Sequence, residues 1–108
     1  MADILDVTQN DFEAQVLGSD APVLVDFWAE WCAPCRQLSP VIKQLAEEYG
    51  PKLRVAKIDA DANPALAAQY NVRALPTVLF IKDGAVRDSL VGNQPKATLA
   101  DRIDALLA

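Results

Sequence analysis

Two cysteines separated by two residues are the part of this 108-residue sequence best suited to chemistry. Cys32 and Cys35 are its only cysteines, and the chain contains no histidine. Without histidine, the usual general base and every Ser-His or Cys-His catalytic pair are excluded. A Cys-x-x-Cys pair is compatible with thiol–disulfide exchange, with zinc binding or with a small structural disulfide. The first question is therefore which kind of sulfur chemistry the pair performs.

Two of these three interpretations fit the sequence poorly. A zinc site normally takes four ligands, and no histidine or second cysteine pair supplies the others. A structural disulfide across so short a loop removes little chain entropy, and the cytosol would reduce it. The chain also lacks a nucleotide-binding motif. The spacing therefore favours redox exchange, and we expect no bound metal or cofactor.

The elements on either side of the cysteines suggest how they are positioned. Val23–Ala29 is apolar on both alternating faces except at Asp26, as in a central strand covered on both sides. From Pro34 to Tyr49, apolar residues recur at helical spacing. Cys32 would lie at the N-terminus of this helix, where free N–H groups and the macrodipole favour a thiolate. We expect Cys32 to attack a substrate disulfide and Cys35, deeper and less exposed, to resolve the mixed disulfide.

Strand and helix signals alternate along the rest of the chain. We expect strands over Ile4–Val7 and Leu53–Ile58, and a hairpin of Thr77–Ile81 and Val86–Val91 that turns at Asp83-Gly84. One helix is expected to be capped by Thr8 and Asp11 and to run through Leu17, and another to run from Asn63-Pro64 to Tyr70. The last helix has an apolar stripe of Leu99, Ile103, Leu106 and Leu107. The order β-α-β-α-β-α-β-β-α predicts one α/β domain over residues 1–108. Its mixed five-stranded sheet would be flanked by four helices.

Charge and hydropathy narrow the possible partners and location. The net charge is −5 and no cluster of Lys and Arg offers a phosphate-binding stripe, so nucleic acid is not expected to bind. Apolar runs such as Val78–Ile81 are too short to span a bilayer, so no membrane association is expected. The chain starts with the acidic residues Asp3 and Asp6 and lacks the basic and apolar stretches of a signal peptide. We therefore expect a cytosolic protein.

Together these features resemble the thioredoxin family in its bacterial type. Val25–Ala29 followed by Trp31–Cys35 is similar to the family's active-site block. Ala74–Thr77 is similar to its cis-proline segment, and Val91-Gly92 to its glycine loop. The similarity covers nearly the whole chain and implies the thioredoxin fold.

The sequence departs from the family at a few positions near the cysteines. Gly is commonest in the family where this chain has Ala33, and Gly is common where it has Ala74. Arg36 replaces a frequent Lys and keeps the charge. Because the dipeptide between the cysteines tunes redox behaviour in the family, Ala33 bears on the redox potential. None of these departures removes a catalytic group.

Asp26 has two interpretations from the residues alone. It could be a carboxylate exposed at a strand edge, or a buried carboxylate whose pKa is raised by desolvation. The resemblance implies the second, in which Asp26 takes and returns the proton of Cys35. It also implies that Lys57, on the neighbouring strand, is the charge partner of Asp26. Without that role, Lys57 would be an ordinary surface lysine.

The resemblance also implies a substrate-binding surface around Cys32. The Leu75–Pro76 bond would be cis and face the cysteines, so that the backbone before Pro76 pairs with an extended substrate segment. Gly92 would let another backbone approach closely. An apolar patch would surround the nucleophile and mark the binding site, formed by Trp31, Ala33, Pro34, Ala74, Leu75 and Val91.

The function implied is that of a protein-disulfide reductase and electron carrier in cytosolic thiol redox homeostasis. Its partners would be disulfide-containing client proteins and an NADPH-dependent flavoprotein, thioredoxin reductase, and the chain would be a monomer. Two alternatives stay open. One is an oxidant or isomerase of an exported compartment, which a measured redox potential would distinguish. The other is a non-enzymatic subunit role, which Cys32→Ser would leave intact.

Overall fold

The computed structural model describes residues 3–108 as a sheet with helices on both faces. The strands are β1 Ile4–Asp6, β2 Val23–Trp28, β3 Arg54–Asp59, β4 Thr77–Lys82 and β5 Ala85–Val91. The α-helices are α1 Ala33–Tyr49, α2 Pro64–Gln69 and α3 Lys96–Leu107, with a π-helical turn at Glu13–Leu17 and a 3-10 turn at Gly50–Lys52. The α/β class and the mixed five-stranded sheet are confirmed, and the π-helical turn is the fourth flanking helix. No helix within residues 3–108 combines the length and apolarity needed to cross a membrane.

The strand that precedes the cysteines is the central strand of the sheet. The strand order is β1-β3-β2-β4-β5, with β1, β3 and β2 parallel and β4 and β5 antiparallel to their neighbours. Asp26 on β2 is opposite Lys57 on β3 and Val78 on β4. Because β2 is covered on both faces, it is apolar throughout except at Asp26, as the sequence pattern predicted.

Alternating residues of β2 contribute to two separate cores. Leu24 packs with the cluster under α1 and α3, whose members include Leu38, Ile42, Val78, Phe80, Leu99 and Ile103. Val23, Val25 and Phe27 pack on the opposite face with Phe12, Val16, Leu66 and Ile81. Because side chains alternate along a strand, Asp26 points to the same face as Leu24, the face that α1 covers. Leu107, expected in the stripe of α3, is only half-buried and packs against the edge of the cluster under α1 and α3.

The first helix differs from the prediction, whereas the other element ends differ by a single residue. Asp11 Oδ1 accepts a hydrogen bond from the Thr8 N–H at 2.8 Å, as in the expected capping box. The helix that follows is only the five-residue π-helical turn, because the Gly18 N–H reaches the Glu13 carbonyl, five residues back, at 2.8 Å. Ends that shift by one residue reflect the fraying of terminal turns and strand ends.

The sequence predicts that Asn63 caps α2, but its side chain forms no capping hydrogen bond with that helix. Its Oδ1 accepts a hydrogen bond from the Gln9 N–H at 2.9 Å, and its Nδ2 donates to the Asp59 carbonyl at 3.0 Å. The side chain is buried, and these two bonds satisfy it by joining two loops that are distant in sequence. Because both polar atoms of the side chain take part in these tertiary hydrogen bonds, Asn63 does not cap the helix.

Candidate active site

The two cysteines form a disulfide at the N-terminus of α1. Cys32 is the N-cap residue, with extended backbone angles (φ −87°, ψ 104°), and its Cα lies 5.3 Å from that of Cys35. Its Sγ accepts a hydrogen bond from the Cys35 N–H at 3.2 Å. A thiolate at this sulfur would meet a free helix N–H and the positive end of the helix dipole. The sequence-based placement of Cys32 is confirmed.

The expected difference in exposure between the cysteines is absent in the oxidised protein. Cys32 is 3% exposed and Cys35 is 4% exposed, so the prediction that Cys35 is the less exposed residue is wrong. Each bonded sulfur shields the other, and the cluster formed by Ala29 and both cysteines is packed against Trp28 and Leu75. Any distinction between attacking and resolving sulfur must therefore come from electrostatics and geometry, not from exposure in this state.

Asp26 is a buried carboxylate without a hydrogen-bond partner. The residue is 1% exposed, and neither Oδ1 nor Oδ2 has a partner within residues 3–108. Burial raises the pKa of Asp26 to about 6, because desolvation disfavours the charged form, while the positive charge of Lys57 acts in the opposite direction. The interpretation of Asp26 as a surface carboxylate is thereby excluded.

Lys57 influences Asp26 through its charge but forms no ion pair with it. Its Nζ lies 3.5 Å from Ser39 Oγ and 5.0 Å from the centroid of the Trp28 ring. The half-buried lysine thus interacts with α1 and with an aromatic face. Ser39 was missed by the sequence interpretation. It could have been found from its position one helical turn after Cys35, on the same face of the helix.

A narrow cleft of about 100 Å³ leads to the second cysteine. It is lined by Trp28, Cys35, Arg36, Ser39 and Lys57. The indole Nε1 of Trp28 is buried and has no hydrogen-bond partner within the described residues. Two cations and a hydroxyl thus border the cysteine expected to lose its proton in the resolving step, and the cleft has room for water.

The cis-proline segment and the glycine loop are joined beside the cysteines. The Leu75–Pro76 bond is cis, as expected, and the Leu75 side chain packs against the cysteine cluster. The Pro76 carbonyl accepts a hydrogen bond from the Gly92 N–H at 2.9 Å, and Gly92 has a φ of +90°. Within residues 3–108, the main-chain N–H and C=O of Leu75 form no hydrogen bond. These two groups are therefore free to pair with another extended chain.

Most of the expected apolar patch is exposed. The side chain of Trp31 is 68% exposed and that of Val91 is 54% exposed, and Ala33, Pro34 and Ala74 are exposed as well. The Trp31 Nε1 donates to Asp61 Oδ2 at 2.7 Å. Asp61 was missed, because it lies thirty residues from Trp31 and no local pattern links them. Exposed apolar surface around a redox-active pair is suited to binding a protein partner.

No group of three or more Cys, Asp or Glu side chains in residues 3–108 is arranged to hold a metal ion. The described site contains a disulfide, a buried carboxylate and adjacent cations. The arrangement combines a sulfur at a helix N-terminus with a second sulfur bonded to it. It is therefore suited to thiol–disulfide exchange.

Comparison with known proteins agrees with this chemistry. The sequence model of the family described as Thioredoxin matches residues 3–105. The chain is 47% identical over 98 residues to Thioredoxin 1 of Synechococcus elongatus. The aligned residues cover 91% of this chain and 92% of that protein. It is 50% identical over 99 residues to Thioredoxin of Chlorobaculum thiosulfatiphilum, covering 92% of each. It is 46% identical over 106 residues to Thioredoxin M-type, chloroplastic, of Spinacia oleracea, covering 98% of this chain but only 59% of that protein.

Proposed function

This chain belongs to the thioredoxin family of thiol–disulfide oxidoreductases, and on that premise we propose that it reduces disulfides in client proteins. The observation that carries the proposal is the position of Cys32. Its sulfur is bonded to Cys35 and accepts that residue's N–H at the start of α1. Such an environment stabilises a thiolate and makes Cys32 the attacking residue.

The reaction consists of two exchanges that balance in electrons and protons. In the reduced protein, the Cys32 thiolate attacks one sulfur of a client disulfide, forms a mixed disulfide and releases the other client sulfur as a thiolate. Cys35 then loses its proton and attacks Cys32 Sγ, which releases the second client sulfur. The client gains two electrons and two protons, one proton from Cys35 and one from solvent, and the protein ends with the Cys32–Cys35 disulfide.

Asp26 is proposed to take the proton of Cys35 in the second exchange. Its pKa of about 6 lies nearer to that of a thiol than the pKa of a free aspartate does. It lies on the sheet face that α1 covers, and water in the cleft beside Cys35 would carry the proton. Lys57 is proposed to limit the rise of this pKa by its charge.

Clients are proposed to bind along the cis-proline segment. The free main-chain groups of Leu75 would pair with an extended client strand. Gly92, tied to Pro76, presents no side chain to obstruct it. The exposed patch of Trp31, Ala33, Pro34, Ala74 and Val91, together with half-buried Leu75, would cover the client on either side of its disulfide.

The electrons are proposed to come from an NADPH-dependent flavoprotein, thioredoxin reductase. Reduction of the Cys32–Cys35 disulfide by that enzyme would reverse the two exchanges, with the protein acting as a monomer. We place the reaction in the cytosol and in thiol redox homeostasis, because a dithiol that donates electrons needs a reducing compartment. The spinach relative is described as chloroplastic, so cell fractionation with organelle markers is the test of location.

The test is NADPH-coupled reduction of insulin with a purified thioredoxin reductase. The wild type should turn over, and Cys32→Ser and Cys35→Ser should not. Turnover that persists in Cys32→Ser would contradict the proposal. A midpoint potential measured against glutathione would identify an oxidant if it lay well above the cytosolic poise.

A further inference from the structure

The two residues immediately before Cys32 form an exposed turn. The Cys32 N–H donates to the Ala29 carbonyl at 3.1 Å, so Glu30 and Trp31 are the central residues of the turn. Both are exposed, and with 68% of its surface exposed Trp31 has little packing to hold it. A large side chain in such a position keeps its orientation only if polar contacts fix it.

Arg36 fixes the first central residue of this turn. Its Nη1 donates to the Glu30 carbonyl at 2.6 Å, while its own backbone N–H donates to the Cys32 carbonyl at 3.2 Å. Arg36 therefore binds the chain on both sides of Trp31. A charged donor makes this a stronger hydrogen bond than a neutral one.

Asp61 fixes the second central residue. Its Oδ2 accepts the Trp31 Nε1–H at 2.7 Å. The loop that carries Asp61 is held in turn, because Asp59 Oδ1 accepts the N–H of Asp61 at 2.9 Å and that of Ala62 at 3.2 Å. The carboxylate that receives the indole is thus on a fixed support.

We propose that Arg36 and Asp61 are positioning residues that hold Trp31 in place before a client binds, and so determine the affinity for client proteins. The proposal rests on the proposed function, since it assigns Trp31 to client binding. A side chain already ordered loses less conformational entropy on association. Loosening the turn should therefore raise the KM for protein clients and leave the chemical step unchanged.

The experiment compares Arg36→Met, Asp61→Ala, the double variant and a control, Lys43→Met. Lys43 is an exposed cation on the same helix. Steady-state reduction of insulin gives KM and kcat, and backbone and indole ¹⁵N relaxation reports the order of Glu30 and Trp31 in the oxidised protein. Each single variant should raise KM about two- to ten-fold, the range expected for one hydrogen bond. The heteronuclear NOE of the turn should fall in each variant, kcat and the midpoint potential should be unchanged in Asp61→Ala, and Lys43→Met should behave as wild type.

The double variant separates a shared role from two independent ones. If both residues hold the same turn, the second substitution should add less than the first. Fully additive effects on KM would overturn the proposal, as would an unchanged NOE or a shifted potential in Asp61→Ala. Arg36→Lys keeps the charge of Arg36. If it restored the wild-type KM while the turn stayed as disordered as in Arg36→Met, and if high salt removed the effect of Arg36→Met on KM, the cause would be charge attraction. That result would also overturn the proposal. The relaxation data test the turn even if the wild type fails to reduce insulin, so the two failures are distinguishable.

Discussion

Asp26 and Lys57 lie opposite each other on β2 and β3, yet the lysine ammonium is directed to Ser39 and Trp28 and not to the carboxylate. The carboxylate is 1% exposed and has no hydrogen-bond partner among the described residues. The lysine is long enough to place its charge near the cleft beside Cys35. Its charge therefore reduces the effect of burial on Asp26 without cancelling it.

Substituting Asp26 should change the pH dependence of stability. Since the pKa of Asp26 is raised from 3.8 to about 6, the folded state favours the protonated form. The resulting stabilisation is complete below pH 3.8 and is lost as the pH rises through about 6. The loss amounts to ~3 kcal/mol of unfolding free energy at neutral pH. Urea unfolding from pH 4 to pH 8 should show that loss in the wild type and not in Asp26→Ala.

Asp20→Ala is the control for this experiment, because it removes an exposed carboxylate that precedes β2, at the opposite end of that strand from the cysteines. It should keep the wild-type pH profile. Asp26→Ala should also slow the release of mixed disulfides, since Cys35 loses its proposed proton acceptor. An unchanged pH profile together with unchanged turnover would contradict both the burial effect and the proposed role.

Removing the charge of Lys57 should raise the pKa of Asp26 further. Lys57→Met keeps an apolar stem of similar length but abolishes the Coulombic effect that lowers this pKa. The carboxyl ¹³C resonance of Asp26 should titrate at higher pH, and the loss of stability should move to higher pH with it. Lys52→Met, in the exposed 3-10 turn before the same strand, is the matched control. If both variants titrated as wild type, Lys57 would have no electrostatic role.

The two cysteines should differ in their ability to trap a client. Cys35→Ser keeps the sulfur at the helix N-cap but removes the resolving thiol, so it should accumulate as a mixed disulfide with insulin. Cys32→Ser should trap almost none, because its remaining thiol lies inside the helix and is packed against Trp28 and Leu75. Non-reducing gels and mass spectrometry measure both adducts. Equal trapping, or trapping only through Cys35, would reverse the assigned roles.

Gly92→Ala should weaken both the fold and client binding. An added Cβ would meet no atom within 4 Å, so the cost comes from the backbone φ of +90°, which L-residues rarely adopt. We expect ~1–2 kcal/mol of destabilisation and a higher KM, since the Gly92–Pro76 hydrogen bond would be distorted.

Gly50→Ala is a matched control for this substitution. Gly50 also has a positive φ, +54°, and open space around its Cα, but it ends α1 at the far end from the cysteines. It should lose comparable stability and keep the wild-type KM. If Gly50→Ala raised KM as much as Gly92→Ala, the effect at Gly92 would be general destabilisation and not local binding.

Much of the site could be predicted because its signals are local. The spacing of Cys32 and Cys35, the helix that follows them and the lone carboxylate in an apolar strand are all readable within short stretches of sequence. Asp83-Gly84 likewise predicted a hairpin turn, and both residues have positive φ, as a type I′ turn requires. Patterns of this kind depend on backbone preferences and periodicity, which act over a few residues.

The sequence by itself determined the sulfur chemistry and the order of the elements, whereas its residues left two interpretations of Asp26 open. Tertiary structure decided the direction of Lys57, the equal burial of the two cysteines and the contact between Trp31 and Asp61. Each of these depends on how strands β2 and β3 and the loops after them come together. Strand register and loop packing set such contacts, and side chains thirty residues apart carry no local signal of their pairing.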